Sequence, residues 1–104
     1  MAMIDLKMWC EEKDILKRTI DAFWKTIQNY WEEEPEEYCS VVRDSSLPVR
    51  PVFDKLSYVC DLPNYDDERV FVDLLIEYDG KYIGWYRMVY GCDGEAQDDS
   101  LIIE

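Results

Sequence analysis

The chain has 104 residues, of which 48% are hydrophobic and 14% aromatic, and its formal net charge is −13. The length predicts a single domain, residues 1–104, and the aromatic content argues against an acidic disordered chain. Residues 1–31 carry five acids and five bases, whereas residues 32–104 carry 19 acids and six bases. This one-sided negative charge makes nucleic acid and anionic membranes poor partners and favours a basic protein.

The first predicted element is one long helix in the first third of the chain. Apolar residues recur in steps of three and four, which is typical of one helical face, at Leu16, Ile20, Phe23, Ile27, Tyr30 and Trp31. Met8 and Trp9 either extend this helix or cap the core from a preceding segment. Pro35 is expected to end the helix, because proline lacks the backbone N–H and disfavours helical geometry at Glu34.

A dense acidic run follows the predicted helix and consists of Glu32, Glu33, Glu34, Glu36 and Glu37. If the helix continues through Glu34, three carboxylates lie at its C-terminal end, where the macrodipole disfavours them. Alternatively, Pro35 opens a second short helix with Glu36 and Glu37 in its favourable first turn. The run is either a solvated surface or a contact for a basic partner.

Strand-forming patterns begin after this run. Residues 38–43 predict a short strand, residues 44–51 predict a loop with two serines and two prolines, and residues 63–67 predict a turn. Between the loop and the turn, residues 55–62 alternate in the way that favours a strand. The residues from Pro51 onward also fit helical spacing, which leaves a helix over 52–62 as the alternative.

The clearest local signal is a β-hairpin around Asp79-Gly80, a dipeptide typical of two-residue turns. If Tyr78 pairs with Lys81, the register places Ile76 opposite Ile83, Leu74 opposite Trp85 and Val70 opposite Val89, all on a face suited to the helix. Arg87 then stands opposite Val72 on that apolar face, either at an edge with its head exposed or in a partly buried pair with an acid. The other face would carry Phe71, Asp73, Glu77, Tyr82, Tyr86, Met88 and Tyr90.

The hairpin is followed by an acidic stretch and a short apolar end. Residues 92–100 predict a loop, and Leu101–Ile103 predict a last edge strand. The order of elements predicts a two-layer α+β fold, with one long N-terminal helix packed on an antiparallel sheet of three to five strands. A cystatin-like arrangement is one way to realise that order.

The four cysteines, at positions 10, 39, 60 and 92, form no C-x-x-C pair, and the chain contains no histidine. The N-terminus lacks the basic and long apolar regions of a signal peptide, and no apolar run reaches the ~20 residues that cross a bilayer. We therefore expect a cytoplasmic protein with reduced, buried thiols; a disulfide pair is the alternative for an exported chain. The acids of residues 93–99 lack the ligand spacing of a calcium loop, so we expect no metal and no cofactor.

The predicted working surface is the aromatic and acidic face of the hairpin. Such a face suits lysine and arginine side chains of a partner, through charge pairing and cation–π contacts. Alternatively, the N-terminal segment or a second copy of the chain covers it, which leaves a homodimer open. Acids that flank the hairpin and the helix would rim this face. The candidate partner-binding residues are therefore Phe71, Asp73, Glu77, Tyr82, Tyr86, Met88, Tyr90, Glu33, Glu34, Glu36, Glu37, Asp66, Asp67, Asp98 and Asp99.

The sequence favours binding over catalysis. It has no histidine, no G-x-S-x-G motif and no glycine-rich phosphate or dinucleotide loop, so we expect that it is not an enzyme. The leading hypothesis is a small acidic inhibitor of a basic protein partner, of the immunity or antitoxin type, that blocks the active site of a toxin, nuclease or effector. The alternatives are a nucleic-acid mimic that inhibits a DNA- or RNA-binding protein and a dimeric module similar to secretion chaperones.

Overall fold

The computed structural model describes residues 5–43, 47–61 and 66–104, and within these residues three helices precede four strands. The helices α1, α2 and α3 span Leu6–Glu12, Ile15–Glu33 and Pro35–Val41. The strands β1, β2, β3 and β4 span Val49–Asp61, Asp66–Tyr78, Lys81–Gly91 and Ala96–Ile103. The strands form an antiparallel meander in the order β1-β2-β3-β4, which confirms the predicted α+β fold of a long helix on an antiparallel sheet.

The N-terminal third contains a break that the periodicity did not predict. Asp14 adopts a left-handed conformation, with φ of 55°, and separates α1 from α2. Trp9 therefore lies in a preceding helix and does not extend α2. Its side chain is buried, and its indole Nε1 donates a hydrogen bond to the carbonyl oxygen of Cys92 over 3.0 Å. Of the two predicted roles for this segment, the capping role is the one observed.

The predicted strand over residues 38–43 is wrong, because α3 occupies most of that range. Pro35 stands at the start of α3 and supplies the fixed φ of a first helical turn, in which Glu36 and Glu37 interact favourably with the macrodipole. The ring of Tyr38 packs against Tyr30, with 5.7 Å between the ring centroids. This aromatic contact holds α3 against α2, so tertiary packing overrides the valine-rich pattern.

The core lies between α2 and the inner face of the sheet, which we define as the face toward the helices. From α2 it contains the buried residues Ile15, Thr19, Phe23 and Ile27. From the sheet it contains Val70, Val72, Leu74, Ile76, Tyr86, Met88 and Tyr90. The rings of Phe23 and Tyr86 meet edge to face at 5.8 Å between centroids, which fixes α2 above β3.

The hairpin turn is confirmed, but the predicted register beyond it is wrong. Asp79 and Gly80 both have positive φ, and Tyr78 pairs with Lys81 as expected. A β-bulge then leaves Ile83 without an opposite residue, so that Ile76 pairs with Gly84 instead of Ile83. Because side chains alternate with a period of two, this shift of one residue moves every later side chain of β3 to the opposite face.

Both edge strands are longer than predicted. The strand expected over 55–62 is confirmed as part of β1, which begins at Val49 in the predicted loop, and the helical alternative is wrong. β4 begins at Ala96, so the predicted loop shortens to residues 92–95, and the edge strand Leu101–Ile103 is confirmed as the end of β4.

The two edge strands differ in their chemistry. β1 contains Pro51 and register shifts at Asp54 and Cys60, whereas on β4 the Asp98 carboxylate accepts a hydrogen bond from the Asp99 amide over 2.8 Å. Residues 44–46 of the predicted loop, residue 62 of the predicted strand and residues 63–65 of the predicted turn lie outside the described residues, whereas Asp66 and Asp67, predicted in that turn, begin β2 instead.

Candidate partner-binding surface

The second face of the sheet, which we call the outer face, has no described helix packed on it. The register places on this face Phe71, Asp73 and Leu75 of β2, Trp85, Arg87 and Val89 of β3, Val52 and Lys55 of β1, and Ile102 of β4. Apart from Asp73, these side chains are half-buried or exposed, whereas the β2 and β3 residues that alternate with them are buried in the core. The outer face is therefore open to solvent and combines apolar and aromatic side chains with charged ones, which by register include Arg50, Arg69 and Glu77 as well.

An ion pair stands at the centre of the outer face. The Arg87 guanidinium donates two hydrogen bonds to the Asp73 carboxylate, from Nε to Oδ1 over 2.7 Å and from Nη2 to Oδ2 over 3.1 Å. Lys55 Nζ lies 3.9 Å from the same carboxylate. Only 6% of Asp73 is exposed, and its hydrogen bonds raise the pKa of Arg87. Of the two predicted environments for Arg87, the partly buried pair with an acid is the one observed.

Aromatic rings flank this ion pair on both sides. The guanidinium carbon of Arg87 lies 4.5 Å from the centroid of the Phe71 ring and 5.7 Å from that of the Trp85 ring. A cleft of about 190 Å³ opens beside them and is lined by Asp54, Lys55, Asp73, Leu74, Leu75, Trp85 and Arg87. This volume is below the roughly 300 Å³ at which small-molecule sites begin. The cleft can therefore accept a side chain of a partner protein.

The structure divides the predicted hairpin face between two environments. By register, Phe71, Asp73, Glu77 and Tyr82 lie on the outer side of the sheet. The remaining three predicted residues are buried in the core, namely Tyr86, Met88 and Tyr90. The prediction that all seven share one face is wrong, because the bulge at Ile83 turns the later residues of β3 inward.

The two buried tyrosines have structural hydrogen bonds. The Tyr86 hydroxyl donates to Asp99 Oδ2 over 2.8 Å, and the Tyr90 hydroxyl lies 2.8 Å from Thr19 Oγ1. Burial raises the pKa of both tyrosines. Thr26 Oγ1 also donates to Asp99 Oδ2, over 3.1 Å, so the Asp99 carboxylate joins α2, β3 and β4. Asp99 is therefore committed to the fold, although it was predicted as a contact for a partner.

The other predicted acids lie at two places. Glu33, Glu34, Glu36 and Glu37 are all exposed at the junction of α2 and α3, in the helical layer and away from the outer face. Asp98 is exposed and pairs with Val89, so it does rim the outer face. The backbones of Asp66 and Asp67 begin β2, and their side chains lie outside the described residues. Of the acids expected to rim the hairpin, Asp98 therefore lies beside the outer face, whereas the four glutamates do not.

Sequence reasoning placed Leu75 on the same face as Asp73 but did not name it as a partner contact, and it missed Trp85 and Lys55 as members of this surface. One signal in the sequence pointed to them, since the predicted register placed the charge of Arg87 opposite Val72 on an apolar face. A shift of one residue resolves that conflict by bringing Arg87 opposite Asp73, and it carries Trp85 to the outer face with it.

Comparisons with models of protein families, with curated proteins and with solved structures each found no match. None of the described helices is long and apolar enough to cross a membrane. The described residues contain no group of three or more cysteine and acidic side chains arranged to hold a metal ion.

All four cysteines are free thiols. Only Cys10 is buried, which corrects the expectation for the exposed Cys39 and the half-buried Cys60 and Cys92.

Proposed function

We propose that this chain is a small acidic protein that binds a basic protein partner and inhibits it, as immunity and antitoxin proteins do, by covering the partner's active site. The observation that carries the proposal is the open outer face, where Trp85, Arg87 and Phe71 form one aromatic and cationic cluster. Tryptophan, tyrosine and arginine dominate the binding energy of protein interfaces. An uncovered sheet face of this composition is suited to contact another protein.

The charge of the chain selects the class of partner. At −13, the protein attracts basic surfaces from a distance and repels acidic ones. Asp73 balances only one of the two cations beside it, Arg87 and Lys55, so the centre of the outer face keeps a net charge of +1 and the attraction for a basic partner comes from the rest of the chain. Exposed acids at the junction of α2 and α3 and on β4 supply the attractive field. The outer face would then supply the short-range contacts that determine how long the complex lasts.

The experiment first captures the partner at low salt from the source cells and then measures its activity with increasing amounts of the chain. Association is measured at about 20 and 200 mM salt, because the Debye length falls from roughly 20 to 7 Å over that range. We expect the double variant Glu36→Gln/Glu37→Gln to slow association. Trp85→Ala should speed dissociation, and Trp31→Ala, an exposed tryptophan on α2, is its control. Binding without inhibition, or inhibition insensitive to both salt and Trp85→Ala, would refute the proposal.

A second candidate function is a dimeric module similar to secretion chaperones, in which an apolar surface holds a client chain. The observation that favours it is the apolar extension of the outer face onto both edge strands, where Val52 and Ile102 are exposed. Light scattering separates the two candidates, since this function requires a dimer and inhibition does not. A strict monomer at all concentrations would count against it.

A further inference from the structure

We propose that a groove between the helices and β1, on the inner face of the sheet, docks an amphipathic helix that carries basic residues and belongs to the protein partner. This inference rests on the proposed function in one respect, that the partner is a basic protein. It assigns a second contact, on the opposite side of the sheet from the outer face.

The groove exists because the sheet is wider than the helical layer. Four strands span roughly 15–20 Å, whereas a helix with its side chains is about 10–12 Å across. α2 lies over β3 and β4, where Phe23 meets Tyr86 and Thr26 reaches Asp99. The inner face of β1 is consequently left open, and 46% of Phe53 is exposed there although the register turns it toward the core.

The groove has apolar walls and a defined volume. It encloses about 460 Å³ and is lined by Lys7, Cys10, Glu11, Asp14, Leu16, Phe53, Asp54, Lys55, Leu56 and Val72. Leu16 on α2 is 44% exposed and lines the groove together with Phe53 of β1. Leu56 and Val72 belong to the sheet, and Cys10 belongs to α1. The volume lies within the range of small-molecule and peptide-anchor sites and admits two or three large apolar side chains.

The charges at the rim select a basic occupant. Glu11, Asp14 and Asp54 contribute three carboxylates, against the two ammonium groups of Lys7 and Lys55, which leaves a net charge of −1. The charge of Lys55 is directed to the outer face, where its Nζ lies 3.9 Å from Asp73. An apolar groove with an acidic rim complements a helix with one apolar face and basic residues on its flanks.

The form of β1 favours a helix over an added strand. An extended segment would have to pair with the free edge of β1, but Pro51 offers no N–H and the register shift at Asp54 interrupts the ladder beside the groove. A helix needs no backbone hydrogen bonds from its partner. It inserts side chains at spacings of three and four residues, and here they would reach Leu16 and Phe53.

The test uses the full chain and a synthetic amphipathic peptide of about 14 residues, with leucines on one face and lysines on the other, long enough for four helical turns. Two control peptides carry glutamates in place of the lysines or a central proline. Amide chemical shifts map where each peptide binds. We expect the lysine peptide to shift residues of α1, the start of α2 and β1, and both control peptides to bind at least about tenfold more weakly.

Cysteine reactivity gives a second measurement on the unmodified protein. Cys10 lines the groove, and Cys39 is exposed on α3, away from it. We expect the bound lysine peptide to slow alkylation of Cys10 and to leave that of Cys39 unchanged. Phe53→Ser and Leu16→Ser should each weaken binding about tenfold, whereas their exposed counterparts Tyr82→Ser and Trp31→Ser should change it less than about twofold.

Each alternative result overturns the inference. No binding by the lysine peptide, equal binding by the glutamate or proline peptide, or shifts confined to the outer face would each refute the groove as a site for a basic helix. So would binding of an uncharged apolar molecule in the groove with no binding of the peptide. Inhibition of the captured partner that depends on Trp85 and salt but not on Phe53 would leave the proposed function intact and reject only this second contact.

Discussion

We expect the replacement Arg87→Met to destabilise the protein, because it leaves the carboxylate of Asp73 nearly buried without its main partner. Methionine preserves most of the apolar stem of arginine, so the change removes the charge and little of the packing. Asp73 is 6% exposed, loses two hydrogen bonds, and retains, among the residues that the structure describes, Lys55 at 3.9 Å. A buried charge that loses its partner is costly, whereas removing both partners together is often neutral.

The structure sets the magnitude of this effect. A hydrogen bond to a charged group contributes roughly 1.5–3 kcal/mol, and two such bonds are lost. About a third of the Arg87 side chain is exposed, 34%, so water screens the pair, and Lys55 compensates in part. We therefore expect a loss of about 2 kcal/mol, equivalent to a decrease in Tm of roughly 10 °C for a domain of this size. The double variant Arg87→Met/Asp73→Leu should lose less than about 1 kcal/mol.

Urea unfolding followed by circular dichroism measures these free energies, and the double-mutant cycle gives the coupling. Lys55→Met is the control, because the lysine side chain is largely exposed and should contribute less than about 0.5 kcal/mol. The reasoning is refuted if Arg87→Met costs as little as the control, or if the double variant is as unstable as the sum of the two single variants.

Three further changes test the core and the sheet. Thr19→Val removes a hydroxyl that lies 2.8 Å from the buried hydroxyl of Tyr90, and we expect a loss of about 1–3 kcal/mol in urea unfolding. The raised pKa of the buried tyrosines means that the unfolded chain releases its tyrosine protons first, so the contribution of Tyr86 and Tyr90 to stability should be constant below about pH 10 and fall above it. Tyr86→Phe should flatten that alkaline decline, and an unchanged slope of unfolding free energy against pH would contradict the assignment. Gly84→Ala would place a methyl group against the backbone carbonyl of Ile102, so we expect a loss of about 1–3 kcal/mol and faster amide exchange in β4; protection equal to that of the unmodified chain would show that the strands adjust freely.

Local patterns predicted much of the fold. The turn at Asp79-Gly80 followed from a dipeptide that accepts positive φ. The face of α2 followed only in part: Phe23 and Ile27 are buried as their spacing predicted, but Leu16 and Trp31 are exposed, and Ile15 and Thr19 are buried instead. The bulge at Ile83 could not be predicted in this way. Both faces of β3 carry large apolar or aromatic residues, so alternation alone fits either register. Only the charge of Arg87 distinguishes them, through an acid on the neighbouring strand.

The groove could not be predicted from the sequence at all. It depends on where α2 sits across the width of the sheet, which is set by contacts such as those of Phe23 and Thr26 with distant strands. The helical pattern shows which side of α2 faces the core, but not which strands that side covers. A residue such as Phe53 reads as a core residue in the sequence and becomes half-exposed through that lateral placement.

The two sheet edges have different consequences for the behaviour of the protein in concentrated solution. An unpaired strand can recruit another chain and begin aggregation. β1 is protected by Pro51 and by its irregular register, which are independent of pH. β4 is protected by carboxylates, including that of Asp98, which accepts a hydrogen bond from the backbone amide of Asp99. Near the isoelectric point of about 4.2, the net charge that keeps the molecules apart disappears. We expect mildly acidic solutions to promote association through β4 and neutral solutions to keep the molecules apart.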